Sequence, residues 1–316
     1  MAALTAVKNY MIVRRMEFYV VELTIFSMPV LVAARSIQEL FSLVVLEGFI
    51  MFFVIYAMGD MINCLVDREL DASYKTRLSN AVYGLGVSNV RNLVIAEGVI
   101  ALLLAIHLSF ATDRWLILGL VLIGIFLGIQ YSTGPFFFKS RGVWHLVCLW
   151  LLLYFLPMLC ASLFAQDSLT WQIIALAATY ATVEMGIILI NTSEDLPEDR
   201  AMGVRTTTVA LGLNRAIALA TGMVMLGGLG FILFWIVLYG QRAAPVWSYL
   251  AIVGLGVAWI FVLRSLWQLT QGVMQAKDER EAIALVKARG MHVPIWATLM
   301  GWLGVVCATV AFIVLQ

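Results

Sequence analysis

The sequence predicts an all-α polytopic membrane protein with nine transmembrane helices. Its composition, its apolar runs and the distribution of its basic residues lead to this fold class. Of the 316 residues, 63% are hydrophobic and 12% are charged, and the mean hydropathy is +0.97. Soluble domains are about 45–50% apolar and about 25% charged, so a soluble globular enzyme and a disordered chain are excluded. The net charge of +1 gives no basic surface, and nucleic acid is not expected as a partner.

A helix that spans a bilayer needs about 20 mostly apolar residues. The sequence contains nine such runs, at about residues 17–35, 40–62, 91–111, 115–132, 143–165, 170–191, 214–239, 245–268 and 293–315. They fill more than half of the chain and leave no stretch for a second domain, so residues 1–316 are expected to form a single transmembrane domain. The N-terminal residues show no signal-peptide pattern, and residues 2–15 are expected to form an interfacial helix.

The basic residues predict the orientation of these helices. With the N-terminus in the cytoplasm, 17 of the 20 lysines and arginines fall on the inner side, and only Arg35, Arg114 and Arg242 fall outside. By the positive-inside rule the topology is N-in and C-out. The inner connections are also the longer ones, so the active site is expected to face the cytoplasm, at the inner membrane if the source is bacterial.

Two inner segments share the pattern Asn-x3-Asp-x3-Asp. The pattern occurs at the inner ends of the second and sixth predicted helices, 128 residues apart, as Asn63, Asp67 and Asp71 and again as Asn191, Asp195 and Asp199. Equivalent positions predict a parallel internal repeat of helices 1–4 and 5–8, followed by helix 9. Pro197 is expected to end the sixth helix, which would place Asp199 on a loop.

The spacing of the two motifs predicts a metal site. Residues four apart lie on one face of a helix, where neighbouring carboxylates repel each other. Two facing rows of this kind require a cation, and oxygen ligands suit Mg²⁺, which commonly binds through a few carboxylates together with phosphate oxygens. Nearby cations could neutralise a phosphate, although the positive-inside rule also explains them; they are Lys75, Arg77, Lys139 and Arg205.

Ionisable residues inside the spans are costly and often functional. Glu184 lies seven residues before Asn191 on the same helical face, so it is expected to point towards the same site as the motif. We predict that Glu184 and Glu22 contact an acceptor or relay a proton, with a structural role as the alternative. Three further residues are assigned to the outer half and to structural roles: Glu47, Glu97 and His107. Residues 269–292 are expected to form either a lid or a solvated connecting helix.

The two acidic motifs, Gly203 and Thr206 behind the second one, and the stretch from Tyr131-Ser132 through Pro135 to Lys139 resemble the UbiA superfamily of intramembrane prenyltransferases. The resemblance covers nearly the whole chain. It implies nine helices around a central cavity and Mg²⁺-dependent transfer of a prenyl group from a polyprenyl diphosphate to a small lipophilic acceptor within the bilayer. The sequence departs from many relatives at Leu78-Ser79-Asn80 and at Gly134-Pro135, which bears on the identity of the acceptor.

The resemblance also implies roles for individual residues. The metal ligands would be Asn63, Asp67, Asp71, Asn191, Asp195 and Asp199, with the four aspartates as catalytic residues. The diphosphate contacts would be Lys75, Arg77, Tyr131, Ser132, Lys139 and Arg205. An aromatic or quinone-precursor acceptor is the leading interpretation. The alternatives are a terpene cyclase with the same metal site and a transferase that acts on a glycerol or sugar phosphate. A transporter is disfavoured, because the repeat is parallel and the acids cluster at the inner face.

Overall fold

The structure is a computed structural model that describes residues 2–315, and every regular element in this range is a helix. In chain order the α-helices are α1 (Ala2–Val13), α2 (Tyr19–Ala33), α3 (Ile37–Leu40), α4 (Leu43–Tyr74), α5 (Thr76–Leu85), α6 (Val87–Thr112), α7 (Leu116–Ser132), α8 (Val143–Leu149), α9 (Leu156–Ser162), α10 (Trp171–Glu194), α11 (Leu196–Ala201), α12 (Thr207–Leu211), α13 (Leu213–Gln241), α14 (Tyr249–Gln275), α15 (Glu279–Gly290) and α16 (Val293–Leu315). A π-helical segment, Trp150–Phe155, joins α8 to α9. The predicted all-α class is confirmed.

Eight helical segments are long and apolar enough to cross a membrane. They are Met16–Ala33, Ile37–Ala72, Val87–Thr112, Val143–Ser162, Trp171–Glu194, Leu213–Gln241, Val246–Gln275 and Val293–Leu315. The remaining predicted span corresponds to α7, whose 17 residues extend about 26 Å, slightly less than the roughly 30 Å of a hydrocarbon core. The count of nine and the N-in orientation therefore stay predictions, as does the internal repeat.

Helix α4 is longer than the sequence analysis expected. We predicted that the second helix ends near residue 62, but α4 continues to Tyr74. Residues 63–74 contain neither glycine nor proline, so nothing in this stretch interrupts the backbone hydrogen bonds of a helix. The whole first acidic motif consequently lies on one rigid helix.

Helix α10 lies in the middle of the bundle and packs most extensively against α13. Two glycines allow this close approach. A Cβ atom at Gly186 would lie 2.7 Å from the Ala220 carbonyl oxygen, and one at Gly227 would lie 2.8 Å from the Val183 nitrogen. The tight contact holds the second acidic motif, at the end of α10, in a defined position.

Helix α1 also takes part in the packing. Ile12 and Val13 form a separate apolar cluster with Met61 on α4 and with Val82 on α5. Other apolar side chains of α1, including Leu4 and Val7, are exposed, which agrees with the expected interfacial helix. The contacts with α4 bring the cations that follow α1 close to the motif end of the bundle, by which we mean the end that carries the two acidic motifs.

Candidate active site

The first acidic motif presents three polar side chains on one face of α4. Asp71 is buried, Asp67 is largely buried, and Asn63 is half-buried. The Asn63 Oδ1 atom lies 3.4 Å from the Ser132 hydroxyl at the end of α7. The structure therefore brings the predicted Ser132 to the first motif.

The second motif is divided between two helices. Helix α10 ends at Glu194, and α11 begins after Asp195 with Pro197 in its first turn. The expectation that Asp199 lies on a loop is wrong, because proline is tolerated in the first turn of a helix, where its missing N–H has no intrahelical partner. The Asp199 N–H donates to the Asp195 carbonyl at 2.8 Å. Asn191, on α10, is exposed.

Two lysines contact the aspartates of the two acidic motifs. The Nζ atom of Lys75, which follows α4, lies 2.8 Å from Asp195 Oδ2 of the second motif. Lys139 donates to Asp67 of the first motif, and its charge also acts on Asp199 of the second. Both lysines were predicted to be phosphate contacts, and the structure places both beside the aspartates.

The electrostatics of the second motif reflect this crowding of charge. Burial raises the pKa of Asp199 to about 6; the hydrogen bond from the Thr206 hydroxyl at 2.9 Å opposes this shift, whereas the nearby Asp195 charge adds to it. Burial lowers the pKa of Lys75, but attraction to Asp195 outweighs it, so the net pKa is raised. An additional cation would relieve the repulsion between Asp67 and Asp71 and between Asp195 and Asp199.

The donor set fits Mg²⁺, since it consists of aspartate and asparagine oxygens on two adjoining helix ends. Within residues 2–315, no three acidic, histidine or cysteine side chains already converge on one point at metal-binding distance. Each motif would thus supply a few ligands, with phosphate oxygens and water supplying the rest, which is the usual way that proteins bind Mg²⁺.

The remaining predicted cations are less engaged. The side chains of Arg77 and Arg205 are exposed, and neither forms an ion pair among the described residues. The backbone of Arg205 is nevertheless fixed: its N–H donates to Ser140 Oγ at 2.9 Å, and its carbonyl accepts from the Gly142 N–H at 2.7 Å. Arg205 therefore lies on a segment joined to the one that carries Lys139.

Tyr131 has a partner that the sequence analysis did not identify. Its hydroxyl lies 3.1 Å from Nε2 of His145 on α8, and the His145 Nδ1 atom lies 3.0 Å from the Thr207 hydroxyl. This chain of contacts connects α7, α8 and the start of α12. The signal for it in the sequence was weak, because 14 residues separate Tyr131 from His145 and 62 separate His145 from Thr207.

Helix α15 is attached to the second motif. Arg200 on α11 forms a double hydrogen bond with Glu279, at 2.9 and 3.0 Å, and Lys287 lies 3.3 Å from Glu198. The predicted helix in residues 269–292 is therefore present and contacts α11. Its role as a lid stays a prediction.

Some ionisable residues of the predicted spans pair with other polar side chains, whereas Glu184 is enclosed in the bundle. His107 Nδ1 lies 3.0 Å from Glu47 Oε2, and Glu97 is contacted by Arg14 at 3.6 Å and by the Tyr10 hydroxyl at 3.3 Å. Tyr10 lies on α1 and Arg14 directly follows it, close to the motif end of the bundle, which was predicted to be the inner side. The assignment of Glu97 to the outer half was therefore wrong. Glu184 is fully buried, and the Tyr180 side chain lies beside its carboxylate.

Two pockets are present among the described residues, and neither of them is the central cavity that the family resemblance implies. One pocket of about 430 Å³ lies between the start of α13 and α15, where Leu213 and Glu279 are among its lining residues. A second pocket, of about 180 Å³, is lined by Arg35, Glu39 and Arg114, far along the chain from the motifs. The chemistry of the site is therefore assigned from the aspartates and lysines and not from these pockets.

Comparison with known proteins identifies relatives of this chain. It is 29% identical over 268 residues to a lycopene elongase/hydratase of Halobacterium salinarum, and the match covers 77% of this chain and 93% of that protein. It is 25% identical over 158 residues to a 1,4-dihydroxy-2-naphthoate octaprenyltransferase of Bacillus subtilis, a match that covers 48% of this chain and 49% of that protein.

Solved structures show the same fold. A UbiA homologue from Archaeoglobus fulgidus bound to GPP and Mg²⁺ superposes with a TM-score of 0.62 at 18% identity, covering 94% of this chain and 99% of that one. A digeranylgeranylglyceryl phosphate synthase superposes with a TM-score of 0.63 at 14% identity, covering 96% and 99%. Residues 23–276 match the UbiA prenyltransferase family. The chain therefore belongs to the UbiA prenyltransferase family, as an integral membrane enzyme.

Proposed function

We propose that this enzyme transfers a prenyl group from a polyprenyl diphosphate to a small lipophilic acceptor in an Mg²⁺-dependent reaction at the motif end, on the cytoplasmic side. One observation carries the proposal. Lys75, which follows the first motif, pairs with Asp195 of the second, and Lys139 pairs with Asp67 of the first while its charge acts on Asp199 of the second. Carboxylates that bind Mg²⁺ next to lysine ammonium groups form a suitable site for a diphosphate.

The residues have distinct tasks in this reaction. The two acidic motifs would hold the metal, and Mg²⁺ bound there supplies charge neutralisation for the departing diphosphate. Lys75 and Lys139 each neutralise one aspartate, and they are near enough to turn towards phosphate oxygens. Arg77 and Arg205 are exposed and could approach the outer phosphate. Tyr131 and Ser132, at the end of α7, would border the bond that breaks.

The deeper part of the bundle bears on the acceptor. The polar side chains there include acids and tyrosines, among them Tyr56, Asp60, Tyr154 and Glu184. Acids without lysine or arginine partners favour an uncharged acceptor over a glycerol or sugar phosphate. We propose an aromatic or quinone-precursor acceptor, with Glu184 as a candidate for receiving its proton.

A second candidate is a linear polyene acceptor. It is favoured by the relative from Halobacterium salinarum, since the match to that lycopene elongase/hydratase covers 93% of its length. A polyene carries no polar group, so it would form no hydrogen bond with the acids inside the bundle, although the carbocation left by the transfer would still have to give up a proton or add water.

The test measures diphosphate release by the purified protein with geranyl, farnesyl and geranylgeranyl diphosphate, with and without aromatic and polyene acceptors, in Mg²⁺ or EDTA. We expect release that needs an acceptor and stops in EDTA. Asp67→Asn and Asp195→Asn should lower turnover at least about 100-fold. The matched control is Glu69→Gln, an exposed carboxylate on the same end of α4 whose one ion-pair partner among the described residues is Arg68.

The outcomes separate the alternatives. Metal-dependent release without an acceptor, with a hydrocarbon or terpene alcohol as product, would establish a cyclase instead. Wild-type turnover in both aspartate variants would refute the metal assignment. Loss of turnover in Glu69→Gln would show that any loss of charge on this part of α4 is damaging.

A further inference from the structure

His145 is a buried polar side chain that has no role in the reaction described above. It lies on α8 and is only 2% exposed. Both of its ring nitrogens have contacts: Nε2 lies 3.1 Å from the Tyr131 hydroxyl, and Nδ1 lies 3.0 Å from the Thr207 hydroxyl. A neutral imidazole donates through one nitrogen and accepts through the other. The direction of each contact therefore depends on which nitrogen carries the proton.

The backbone of Thr207 fixes the position of that proton. Its N–H group points at His145 Nδ1, with 3.4 Å between the two nitrogens. Because a backbone N–H can only donate, Nδ1 must accept and carries no proton. The Thr207 hydroxyl can turn its proton to Nδ1 or to the Gly142 carbonyl, which is 3.0 Å away, so it is compatible with this arrangement. The ring is consequently neutral, with its proton on Nε2.

The segment that carries Thr207 is held on both sides, so its N–H group is kept in place. The preceding Thr206 hydroxyl donates to Asp199 at 2.9 Å, and the following Thr208 hydroxyl lies 2.9 Å from the Ser193 hydroxyl. These contacts also connect the histidine with the second acidic motif, through Asp199.

With the imidazole proton on Nε2, the Tyr131 hydroxyl accepts from His145 and keeps its own proton for another acceptor. A hydroxyl has one proton and two lone pairs, and a hydroxyl that accepts a hydrogen bond becomes a stronger donor. Tyr131 is half-buried. His145 is the one hydrogen-bond partner of its hydroxyl among the side chains that the structure describes.

The Tyr131 hydroxyl is near aspartates of both motifs. The charges of Asp67, of Asp199 and of Asp195 act on it. A diphosphate held by the two motifs would therefore lie within its surroundings. A phenol proton directed there meets phosphate oxygens, whose negative charge increases as the bond to the prenyl carbon breaks.

We propose that His145 is a positioning residue, whose Nε2–H group holds the Tyr131 hydroxyl so that the tyrosine donates a hydrogen bond to the departing diphosphate. The proton stays on Tyr131, and no group changes its protonation state. The identity of the anion rests on the proposed function, whereas the tautomer of His145 and its bond to Tyr131 do not.

NMR of the full chain labelled with ¹⁵N-histidine tests the tautomer without any turnover. The chain contains three histidines, and His145→Gln identifies the signals that belong to His145. We expect a protonated Nε2 and an unprotonated Nδ1 at neutral pH. A proton on Nδ1, or on both nitrogens, overturns the proposal.

A double-mutant cycle tests the role in the reaction. Tyr131→Phe and His145→Leu should each lower kcat for diphosphate release at least about tenfold and change KM less than about threefold, because the hydrogen bond acts on charge that develops in the transition state. In the Tyr131→Phe background, His145→Leu should lower kcat less than about twofold further, because the group through which it acts is already lost.

Two glutamine variants complete the design. His145→Gln retains a side-chain N–H donor for Tyr131 and should keep kcat within about threefold of the wild type. The matched control, His107→Gln, changes a histidine that pairs with Glu47, and it should leave kcat within about twofold. Rates are compared per folded protein, from the melting curve of each variant, so that a folding defect is not counted as lost catalysis.

The cycle separates a positioning role from a structural one. A purely structural role predicts that His145→Leu lowers kcat by the same factor in the wild type and in Tyr131→Phe, and this result overturns the proposal. A wild-type kcat in His145→Leu also overturns it, as does a loss in His145→Gln as large as that in His145→Leu.

Failure of this proposal and failure of the proposed function are distinguishable. A wild-type protein that releases no diphosphate with any acceptor refutes the prenyl transfer, and the NMR measurement still supports or overturns the Nε2–H tautomer. Metal-dependent release by a protein that carries the proton on Nδ1 of His145 refutes this proposal alone.

Discussion

Replacing Lys139 by methionine should destabilise the fold more than the same replacement of Lys75. The side chains of Lys139 and Asp67 are only 13% and 14% exposed, so the substitution leaves a largely buried carboxylate without its ion-pair partner. Losing one member of a buried pair costs about 3–5 kcal/mol. The pair of Lys75 and Asp195 is 50% and 36% exposed, and Lys75→Met should cost about 1 kcal/mol or less.

Mg²⁺ should reverse much of the Lys139→Met defect. A ligand that binds only the folded state stabilises it by about 2.7 kcal/mol at 100 times its dissociation constant. The gain should be larger in Lys139→Met than in the wild type, because no lysine competes with the metal for Asp67.

Unfolding in SDS and thermal melting, each in EDTA and in Mg²⁺, measure these differences for the wild type and both lysine variants. Equal destabilisation by the two substitutions would refute the distinction between a buried and an exposed pair. An identical Mg²⁺ effect on the wild type and on Lys139→Met would refute the placement of Lys139 beside a metal ligand.

Two further predictions concern the second motif and the helix that supports it. Thr206→Val removes the hydrogen bond to Asp199, so the pKa of Asp199 should rise above about 6. Because protons then compete with Mg²⁺ at higher pH, the lower pH limit of Mg²⁺ binding should move upwards in a titration, and an unchanged limit would contradict this assignment. Gly227→Ala places a Cβ atom 2.8 Å from a backbone nitrogen of α10 and should destabilise the fold by about 1–3 kcal/mol. Gly222→Ala, at a position with no atom within 4 Å of the added Cβ, should be neutral or stabilising by about 1 kcal/mol; similar melting temperatures for the two variants would contradict the packing argument.

The sequence by itself determined the membrane class, the all-α fold and the family. Apolar runs and the three-and-four spacing of polar residues are local properties, so Asn63, Asp67 and Asp71 could be placed on one helical face without coordinates. Local signals also misled: Pro197 suggested a loop at Asp199, whereas the chain starts a new helix there.

The tertiary structure decided which distant groups meet. Lys75 contacts Asp195 across 120 positions, and Lys139 contacts Asp67 across 72, although hydropathy and the positive-inside rule treat all inner cations alike. Only the packing of α2 beside α4 brings Glu22 within reach of the charge of Asp60, a residue that had no sequence motif to single it out. The physical reason is that burial, charge pairing and unsatisfied hydrogen bonds depend on the environment that the neighbouring helices create, and one segment of sequence does not contain that environment.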